Sequence, residues 1–481
     1  MNKLTKIIAT VGPSTDSREK LIDLYNVWVN VIRFNFSHAN YEKSEEIANI
    51  IKDLNNKWLT NLSLLLDTKW PEIRTWDVKE KINYEEWDIF KIYIDKDEID
   101  KVNKSLDFKN KDIFCDYKYL AEDLNIWDTI VLDSGLFNVE VLDKNTDYLE
   151  VKALNDALFG SRRHVNLPGI KIKLPGVTDK DRQDILWWIK QGFHFIALSF
   201  VRNRQNIEDL RKLLKDNNAE YIKIISKIEN QEAIDNMDEI IDASDWVMVA
   251  RWDLWIEVPI VKLPVFQKQI VKKCKTKWKI SIVATHMLET MIDNRFPTRA
   301  EVSDVFNTVY QKPDSLMLSW ETAIWDYPIE TVKIMTEIIE SAEEEINYSG
   351  NNYEVSILDQ ENFEKKSVIS WAFITAQSIK ADAIVICTES WFSASLASAY
   401  KMDTPILAFT NSRESLWYMN LLFWVNAFYI DWDVTTKDHL NIAIEYIRKN
   451  NLLKAPNSRV ISISDVFTDN WRDIELKIMG V

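Results

Sequence analysis

The feature that most constrains this chain is a repeated alternation between short apolar, β-branched segments and longer stretches with the spacing of amphipathic helices. The alternation occupies the first 67 residues and returns after residue 178. Alternating strands and helices are typical of a parallel α/β fold. Eight segments are predicted as strands: residues 4–11, 29–36, 62–67, 195–201, 222–228, 246–250, 280–284 and 316–319.

Eight strand–helix units predict an α/β fold of the (β/α)8 TIM-barrel type, formed by residues 1–69 and 169–346. An open, doubly wound parallel sheet is the alternative on this pattern alone. Residues 70–168 contain short strand-like runs and turn residues, which predict an inserted small β-barrel domain that acts as a lid. Alternation resumes in residues 347–481, which are predicted to form a separate C-terminal α/β domain.

Composition excludes several classes of protein. The 481 residues carry a net charge of −16 without a Lys/Arg-rich block, so we expect no nucleic-acid partner. No apolar run approaches the length of about 18 residues that a membrane span needs, so we expect no membrane partner. The three cysteines, Cys115, Cys274 and Cys387, show no metal-ligand or disulfide pattern. They are expected to be buried thiols in a cytoplasmic protein.

Polar residues stand at the C-terminal ends of the predicted barrel strands, where barrels of this type carry their chemistry. They are Arg33, Asn35, Ser37, Asp67, Thr68, Lys227, Glu229, Arg251, Asp253, Thr285 and Glu321. Singly, such residues often have structural roles, and Asp67 could simply cap a helix. The segment IKIISKIEN around Lys227 is, however, too apolar for a solvated strand, and a buried lysine needs a partner or ligand. Joint placement at several strand ends favours a common site.

The residue types at these positions indicate phosphoryl transfer. Glu229 and Asp253 could hold one Mg²⁺ through carboxylate oxygens. The oxygen donors at 35, 37, 67 and 68 carry a single charge among them, which suits a larger monovalent cation. The cations Arg33, Arg74, Lys227 and Arg251 have no obvious partners nearby in the sequence. Clustered cations with Mg²⁺ are what a transferred phosphoryl group requires.

Ordered motifs over nearly the whole chain resemble the pyruvate kinase family. They are KIIATVGPST (6–15), VIRFNFSHA (31–39), LLLDTKWPEIRTW (64–76), VNLPG (165–169), IKIISKIENQEAI (222–234), MVARWDLWIEVP (248–259), ATHMLETMI (284–292), PTRAEVSDV (297–305) and LSWETAIWDYP (318–328). The resemblance implies transfer of the phosphoryl group of phosphoenolpyruvate to ADP, giving pyruvate and ATP, with Mg²⁺ (or Mn²⁺) and K⁺ as cofactors. It also implies a homotetramer.

The resemblance implies roles for individual residues. Lys227 and Arg33 would contact the transferred phosphoryl group, and Thr285 the substrate carboxylate, beside Arg251, Trp252 and Asp253 in the substrate-binding segment. Glu229 and Asp253 would bind Mg²⁺, whereas K⁺ would be held by Asn35, Ser37, Asp67 and Thr68. The residues that would approach ADP are His38, Arg74 and Arg163. Glu72 stands where K⁺-dependent members of the family carry glutamate.

Two other functions remain open on the sequence. One is a catalytically inactive relative that acts as a binding or regulatory subunit. The other is a different barrel enzyme acting on phosphoenolpyruvate or pyruvate, such as an aldolase or mutase. Intact polar residues argue against the first, and the inserted and C-terminal domains argue against the second.

Tryptophan is abnormally frequent, with 20 Trp and only 8 Gly in the chain. Usage of about 7% glycine would give roughly 34 glycines. Many tryptophans fall where the resembled family has glycine, among them Trp28, Trp70, Trp76, Trp87, Trp127, Trp246, Trp252, Trp255, Trp320 and Trp325. Overpacking costs about 1–3 kcal/mol per site, so some fifteen such sites would exceed a total stability of about 5–15 kcal/mol. We hypothesise that UGA codons meaning glycine have been read as tryptophan.

Overall fold

The computed structural model describes residues 3–36, 40–69, 73–94, 111–324, 326–346, 348, 362–432, 439–453, 457–467 and 472–481. Strands and helices alternate at the start of the chain. The elements are β1 (Lys6–Thr10), α1 (Arg18–Asn26), β2 (Val29–Asn35), α2 (Tyr41–Asn56) and β3 (Ser63–Asp67). Ser17 and Asn40 accept backbone N–H groups at the starts of α1 and α2, which explains where these helices begin.

A β-rich domain is inserted after β3. Its elements are β4 (Ile82–Tyr84), β5 (Ile89–Ile94), β6 (Ile113–Cys115), α3 (Leu120–Asp123), β7 (Thr129–Leu132), β8 (Phe137–Lys144), β9 (Tyr148–Ala153), β10 (Ala157–Phe159) and β11 (Val165–Asn166). Six strands form one sheet in the order β11-β7-β8-β9-β5-β6, and β10 pairs with β4. The aromatic residues Tyr84, Phe90, Phe137 and Phe159 pack together in its core.

The alternation then resumes over the second part of the barrel. Its elements are α4 (Asp179–Lys190), β12 (Phe195–Leu198), α5 (Arg204–Asp216), β13 (Lys223–Ile228), α6 (Gln231–Asp235), α7 (Met237–Ala243), β14 (Trp246–Ala250), α8 (Arg251–Glu257), α9 (Leu263–Thr276), β15 (Ile280–Ala284), α10 (Arg299–Tyr310), β16 (Ser315–Leu318), α11 (Trp320–Ala323) and α12 (Pro328–Glu345).

Eight parallel strands close into a barrel in the order β1-β16-β15-β14-β13-β12-β3-β2. All eight strands predicted from the sequence are present, and the open-sheet alternative is wrong. The strands are buried along nearly their whole length, which explains their continuous apolar runs. Register brings the strand ends together, since Asn35 pairs with Asp67 and Asp67 with Ala197.

The remaining elements form a C-terminal α/β domain, as predicted. They are α13 (Phe363–Ile379), β17 (Ala383–Cys387), α14 (Phe392–Ala399), β18 (Ile406–Thr410), α15 (Arg413–Tyr418), β19 (Val425–Tyr429), α16 (His439–Lys449), β20 (Arg459–Phe467) and β21 (Arg472–Gly480). The sheet order is β19-β18-β17-β20-β21, with β21 antiparallel and the other strands parallel. The domain boundaries drawn from the sequence stay a prediction.

Contacts between the barrel and the C-terminal domain are partly polar. The buried ammonium of Lys401 binds the carboxylate of Asp314, which precedes β16. His194, which precedes β12, stacks on Trp417 of α15 with ring centroids 4.3 Å apart. Among the described helices, no helix is both long enough and apolar enough to span a membrane.

Six of the described tryptophans have left-handed backbone conformations. They are Trp28 (φ 79°), Trp58 (φ 57°), Trp87 (φ 77°), Trp127 (φ 76°), Trp278 (φ 59°) and Trp424 (φ 53°). Such angles favour glycine because a Cβ atom makes them strained. Three of these residues directly follow a helix C-cap, which is where glycine most often ends a helix.

Two further tryptophans are buried in an unusual way. Trp188 and Trp246 are fully buried, and their Nε1 atoms have no hydrogen-bond partner within the described residues. A buried indole N–H normally finds an acceptor. Together with the positive φ angles, these buried donors support the hypothesis that glycine belongs at many tryptophan positions. The presence of glycine at each of these positions in the native protein stays a prediction.

Candidate active site

Asp67, at the end of β3, binds two cationic side chains at the barrel mouth. Its Oδ2 accepts a hydrogen bond from Nε of Arg33 at 2.7 Å, and its Oδ1 lies 3.1 Å from Nζ of Lys227. All three side chains are almost completely buried. Burial raises the pKa of Asp67, but Lys227 and Arg33 outweigh that effect, so the pKa is lowered and the carboxylate stays ionised.

Lys227, on β13, lies between two carboxylates. Its Nζ is 2.8 Å from Oε1 of Glu229 and 3.0 Å from Oγ of Ser199. Burial lowers the pKa of Lys227, but Asp67, Glu229 and Asp253 more than offset it and raise the pKa above its usual value. The side chain is therefore a fixed positive charge at neutral pH and not a base.

All four of the cationic side chains that lack obvious partners nearby in the sequence have partners in the structure. Arg33 and Lys227 are paired with the carboxylates described above. Nη1 of Arg251 lies 2.7 Å from Asp304, and Nη1 of Arg74 donates to the carbonyl of Arg162. Apart from Glu229, which is two residues from Lys227, these partners lie at least 34 residues away in the sequence, so local patterns could not reveal them.

Glu229 and Asp253 form a pair of buried carboxyl groups. Glu229 is 0% exposed, and its Oε2 accepts the backbone N–H of Phe200 at 2.6 Å. Its Oε1 lies 2.8 Å from Nζ of Lys227, so both oxygens of Glu229 have partners. Burial raises the pKa of both carboxyl groups. Two adjacent carboxyl groups whose charge a single ammonium only partly offsets form an environment that favours a bound cation.

The loop after β15 aims Thr285 at the same site. Thr285 and His286 have φ angles of 68° and 52°. The guanidinium of Arg251 donates to both of their carbonyl groups, at 2.9 Å (Nε to Thr285) and 2.7 Å (Nη2 to His286). Oγ1 of Thr285 accepts the backbone N–H of Trp252 at 2.9 Å. Arg251 thus supports the loop, and its side chain is not among the described residues that line the cavity.

Trp252 and Trp255, on α8, stand at the rim of the site. They are 37% and 38% exposed, and the Trp252 ring lies 4.6 Å from the ring of His286. Trp252 also lines the cavity. The substrate-binding role that the resemblance implies for Trp252 stays a prediction.

The oxygen donors predicted for K⁺ are partly in place. Asn35, Asp67 and Thr68 all line the cavity. Oγ1 of Thr68 donates to the carbonyl of Ala197 at 3.3 Å and accepts the backbone N–H of Ser199 at 3.1 Å. Ser37 lies outside the described residues, so its part in the set stays a prediction.

Arg74 and Arg163, predicted to approach ADP, lie together on the inserted domain. Nη2 of Arg74 is 2.6 Å from Nε2 of His164, and Nη1 of Arg163 is 3.1 Å from Asp133. Neither arginine is among the cavity-lining residues, whereas His164 is. His38, Trp70 and Glu72 lie outside the described residues.

A cavity of 480 Å³ lies between the barrel mouth and the inserted domain. Of the site residues predicted from the sequence, it is lined by Arg33, Asn35, Asp67, Thr68, Lys227, Trp252, Asp253 and Thr285. Glu229 is fully buried and is not among the lining residues of the described chain. Ser199, Asn166 and Glu257 are among the cavity-lining residues that were not predicted from the sequence. Ser199, at the end of β12, contacts Asp67, Thr68 and Lys227, and the rule of strand-end chemistry could have found it. Asn166 and Glu257, joined at 2.9 Å, link the inserted domain to α8 and carry no local sequence signal.

Comparisons with known proteins agree with this architecture. The family model described as pyruvate kinase, barrel domain, matches residues 2–332, and that described as pyruvate kinase, alpha/beta domain, matches residues 366–470. A pyruvate kinase from Bacillus licheniformis is 39% identical over 434 residues, which are 88% of this chain and 71% of that protein. One from Dictyostelium discoideum is 35% identical over 470 residues, covering 96% and 91%.

A solved structure is similar over almost the full length. The crystal structure of a pyruvate kinase from Cryptosporidium parvum has a TM-score of 0.91 and 31% sequence identity, and the match covers 99% of this chain and 96% of that one. Similarity of this extent includes the barrel and the C-terminal domain. The chain belongs to the pyruvate kinase family.

Proposed function

We propose that this chain transfers the phosphoryl group of phosphoenolpyruvate to ADP, giving pyruvate and ATP, with Mg²⁺ (or Mn²⁺) and K⁺ as cofactors. Membership of the family supports a phosphotransferase of glycolysis. The observation that carries the proposal is the fixed cationic charge of Lys227, held between Asp67 and Glu229 at a cavity shared by two domains. That is the environment that a transferred phosphoryl group needs.

The reaction breaks the bond between phosphorus and the enol oxygen and forms a bond between phosphorus and a terminal oxygen of ADP. The enolate left behind then takes a proton at carbon to become pyruvate. Lys227 and Arg33 remain protonated and stabilise the charge on the phosphoryl oxygens during transfer. Thr285 would hold the substrate carboxylate, beside Trp252 and the loop that Arg251 supports.

Glu229 and Asp253 would hold Mg²⁺. Among the described residues, no three His, Cys, Asp or Glu side chains are arranged as a complete metal site. Mg²⁺ commonly binds one or two carboxylates and takes its other oxygens from substrate and water, so this pair fits. The closeness of the two carboxyl groups, whose charge Lys227 only partly offsets, supports the assignment. When bound, Mg²⁺ would supply positive charge to the phosphoryl oxygens.

The K⁺ site would consist of Asn35, Ser37, Asp67 and Thr68. The fit rests on chemistry, because three of these side chains are neutral oxygen donors and the Asp67 charge is already shared by Arg33 and Lys227. A monovalent cation suits a site with so little remaining negative charge.

ADP would lie near His38, Arg74 and Arg163, where the inserted domain faces the cavity. We also propose that the protein is a cytoplasmic homotetramer without nucleic-acid or membrane partners, in keeping with its family. Light scattering after size exclusion tests the tetramer, and a monomeric mass would contradict it.

The Glu229→Gln variant tests the metal assignment. We expect the magnesium concentration for half-maximal activity to rise and kcat to fall about 100-fold, since one metal ligand loses its charge. Glu220→Gln, on an exposed turn, is the control and should behave as the parent enzyme. Unchanged magnesium dependence in Glu229→Gln would contradict the site. An inactive regulatory relative is favoured by no observation here.

A further inference from the structure

The chain that leaves the inserted domain after β11 is held from both sides. The carbonyl oxygens of Ile172 and Leu174 accept hydrogen bonds from the two terminal nitrogens of the Arg202 guanidinium, on the barrel side. Between them, the backbone N–H of Lys173 donates to Oη of Tyr117, in the inserted domain, at 2.7 Å. A carbonyl and the N–H of the same trans peptide point in opposite directions, so the two domains bind opposite edges of one segment.

The lysine side chain adds to the inserted-domain side of this joint. Nζ of Lys173 lies 2.9 Å from Asp123 and 3.0 Å from Glu122, both on α3. Tyr117 also donates to Asp123, so these groups form one cluster. Three residues of the inserted domain thus hold the same residue of the connecting segment.

On the barrel side, Arg202 is an unusual group. It is 6% exposed, and it forms no ion pair with a carboxylate in the part of the chain that the structure describes. Its Nε is buried without a hydrogen-bond partner there. Burying a charge without a counter-ion is costly. The planar guanidinium is, however, well suited to holding two carbonyl oxygens in a fixed relation.

The loop that carries Arg202, residues 199–202, also contacts Asp67, Lys227 and Glu229 in the candidate active site. Ser199 accepts a hydrogen bond from Lys227 and lies 3.1 Å from Oδ1 of Asp67. Phe200 donates its backbone N–H to Glu229 and has a left-handed φ of 50°. Strained backbone of this kind persists only where the surroundings impose it. Residues 199–202 therefore connect the Lys227–Glu229 pair to the joint at residues 172–174 through four consecutive residues.

We infer that residues 199–202 form a coupling loop and that Arg202 is a positioning residue for the proposed phosphoryl transfer. Arg202 fixes the segment 172–174 to the barrel. A displacement of the inserted domain therefore moves Arg202 and, through the short loop, Phe200 and Ser199. Glu229 and Lys227 then adopt their catalytic positions when the inserted domain is docked on the barrel through segment 172–174. The inference rests on the proposed function, but the connection itself is independent of it.

The test compares Arg202→Met, Arg202→Lys and Lys173→Met in the full-length protein. We expect Arg202→Met to lower kcat about 30-fold and to raise the half-saturating magnesium concentration several-fold, because small displacements of Lys227 and Glu229 slow the reaction. Arg202→Lys should recover part of the loss. Lys173→Met removes the side-chain ion pairs with Glu122 and Asp123 but keeps the backbone hydrogen bond to Tyr117, and it should lower kcat about fivefold. Hydrogen exchange of residues 195–201 should quicken in Arg202→Met and Lys173→Met.

Matched controls are Arg204→Met, on the exposed start of α5, and Lys171→Met, exposed on the same connecting segment. Both should keep the kinetics of the parent. The inference is overturned if folded Arg202→Met or Lys173→Met keeps the parent's kcat, magnesium dependence and hydrogen exchange. Should Arg202→Met not fold, Lys173→Met decides, since its side chain is half exposed. A parent protein that makes no pyruvate would contradict the proposed function, whereas the exchange data would still judge the coupling.

Discussion

The ammonium of Lys227 lies 3.1 Å from Oδ1 of Asp67, a residue 160 positions earlier in the chain. The two side chains come from β13 and β3, which are joined through β12 in the barrel wall. Because Arg33 binds the other oxygen of Asp67, one carboxylate orients two of the cationic side chains that line the cavity. The proposed phosphoryl-transfer site thus depends on an ion pair between side chains that the pairing of β3, β12 and β13 brings together.

Asp67→Asn tests this ion pair. Loss of the negative charge removes the anchor of Lys227 and Arg33, so we expect kcat to fall about 100-fold and the melting temperature to fall as well, because two buried cations lose a counter-ion. The exposed Asp53→Asn, on α2, serves as the control and should leave kcat unchanged. An Asp67→Asn enzyme with the parent's kcat would show that the pair has no catalytic part.

Replacing K⁺ by tetramethylammonium at constant ionic strength tests the monovalent site. We expect activity to fall about tenfold or more, since a positive charge beside Asn35, Asp67 and Thr68 would be lost from the transition state. Rescue by K⁺ should be saturable and weaker in Thr68→Val, which lacks the hydroxyl oxygen. Equal activity with and without K⁺ would refute the requirement.

Glycine substitution tests the left-handed tryptophans. Trp28→Gly and Trp127→Gly should each stabilise the protein by about 1 kcal/mol, since glycine adopts a positive φ without strain. The melting temperature should therefore rise by about 2–4 °C for each. Trp187→Gly is the control, because Trp187 lies inside helix α4 and packs on Tyr41, and it should lower the melting temperature. Destabilisation by all three would contradict the strain.

The gene and the native protein test the decoding hypothesis itself. We expect UGA codons at positions 252, 255 and 320, and a native peptide containing Arg251 whose mass corresponds to glycine at position 252. UGG codons at these positions would end the hypothesis. In that case the six left-handed tryptophans would be genuine strained residues.

His194 provides a prediction about pH. Its Nδ1 accepts the backbone N–H of Leu64 at 2.9 Å, and burial lowers its pKa to about 3. Between that value and the unfolded pKa of about 6.5, the unfolded chain binds the extra proton, so stability falls as pH falls. From pH 6.5 to pH 5 the loss is about 2 kcal/mol.

His194→Gln provides an acceptor that does not titrate. The melting temperature of this variant should fall less between pH 7 and pH 5 than that of the parent. Scanning calorimetry at both pH values measures the difference. Parallel pH dependences in the two proteins would show that His194 does not contribute to acid sensitivity.

Sequence patterns predicted the path of the backbone well, because each barrel strand is a continuous apolar run that needs burial on both faces. The strand-end rule also assembled Arg33, Asp67, Lys227 and Glu229 at one mouth. The pairing of these side chains could not be predicted, since it depends on the register between strands and on which rotamer each side chain adopts.

The hydrogen-bond partners of Arg251 and Arg202 could not be predicted from the sequence. Arg251 occupies a substrate-binding segment, yet its guanidinium holds the carbonyl groups of Thr285 and His286. Arg202 follows the end of β12 and was not singled out, because its partners are backbone carbonyl groups of a segment some 30 residues earlier. Every residue has a backbone carbonyl group, so the sequence does not show which of these groups accept a hydrogen bond from an arginine.

Formation of pyruvate from phosphoenolpyruvate and ADP, followed with lactate dehydrogenase in the presence of Mg²⁺ and K⁺, tests the central claim most directly. We expect turnover that depends on ADP and that falls about a thousandfold in Lys227→Met, since the charge that stabilises the transferred group is lost. A folded parent protein that makes no pyruvate, or a Lys227→Met variant as active as the parent, would contradict the account.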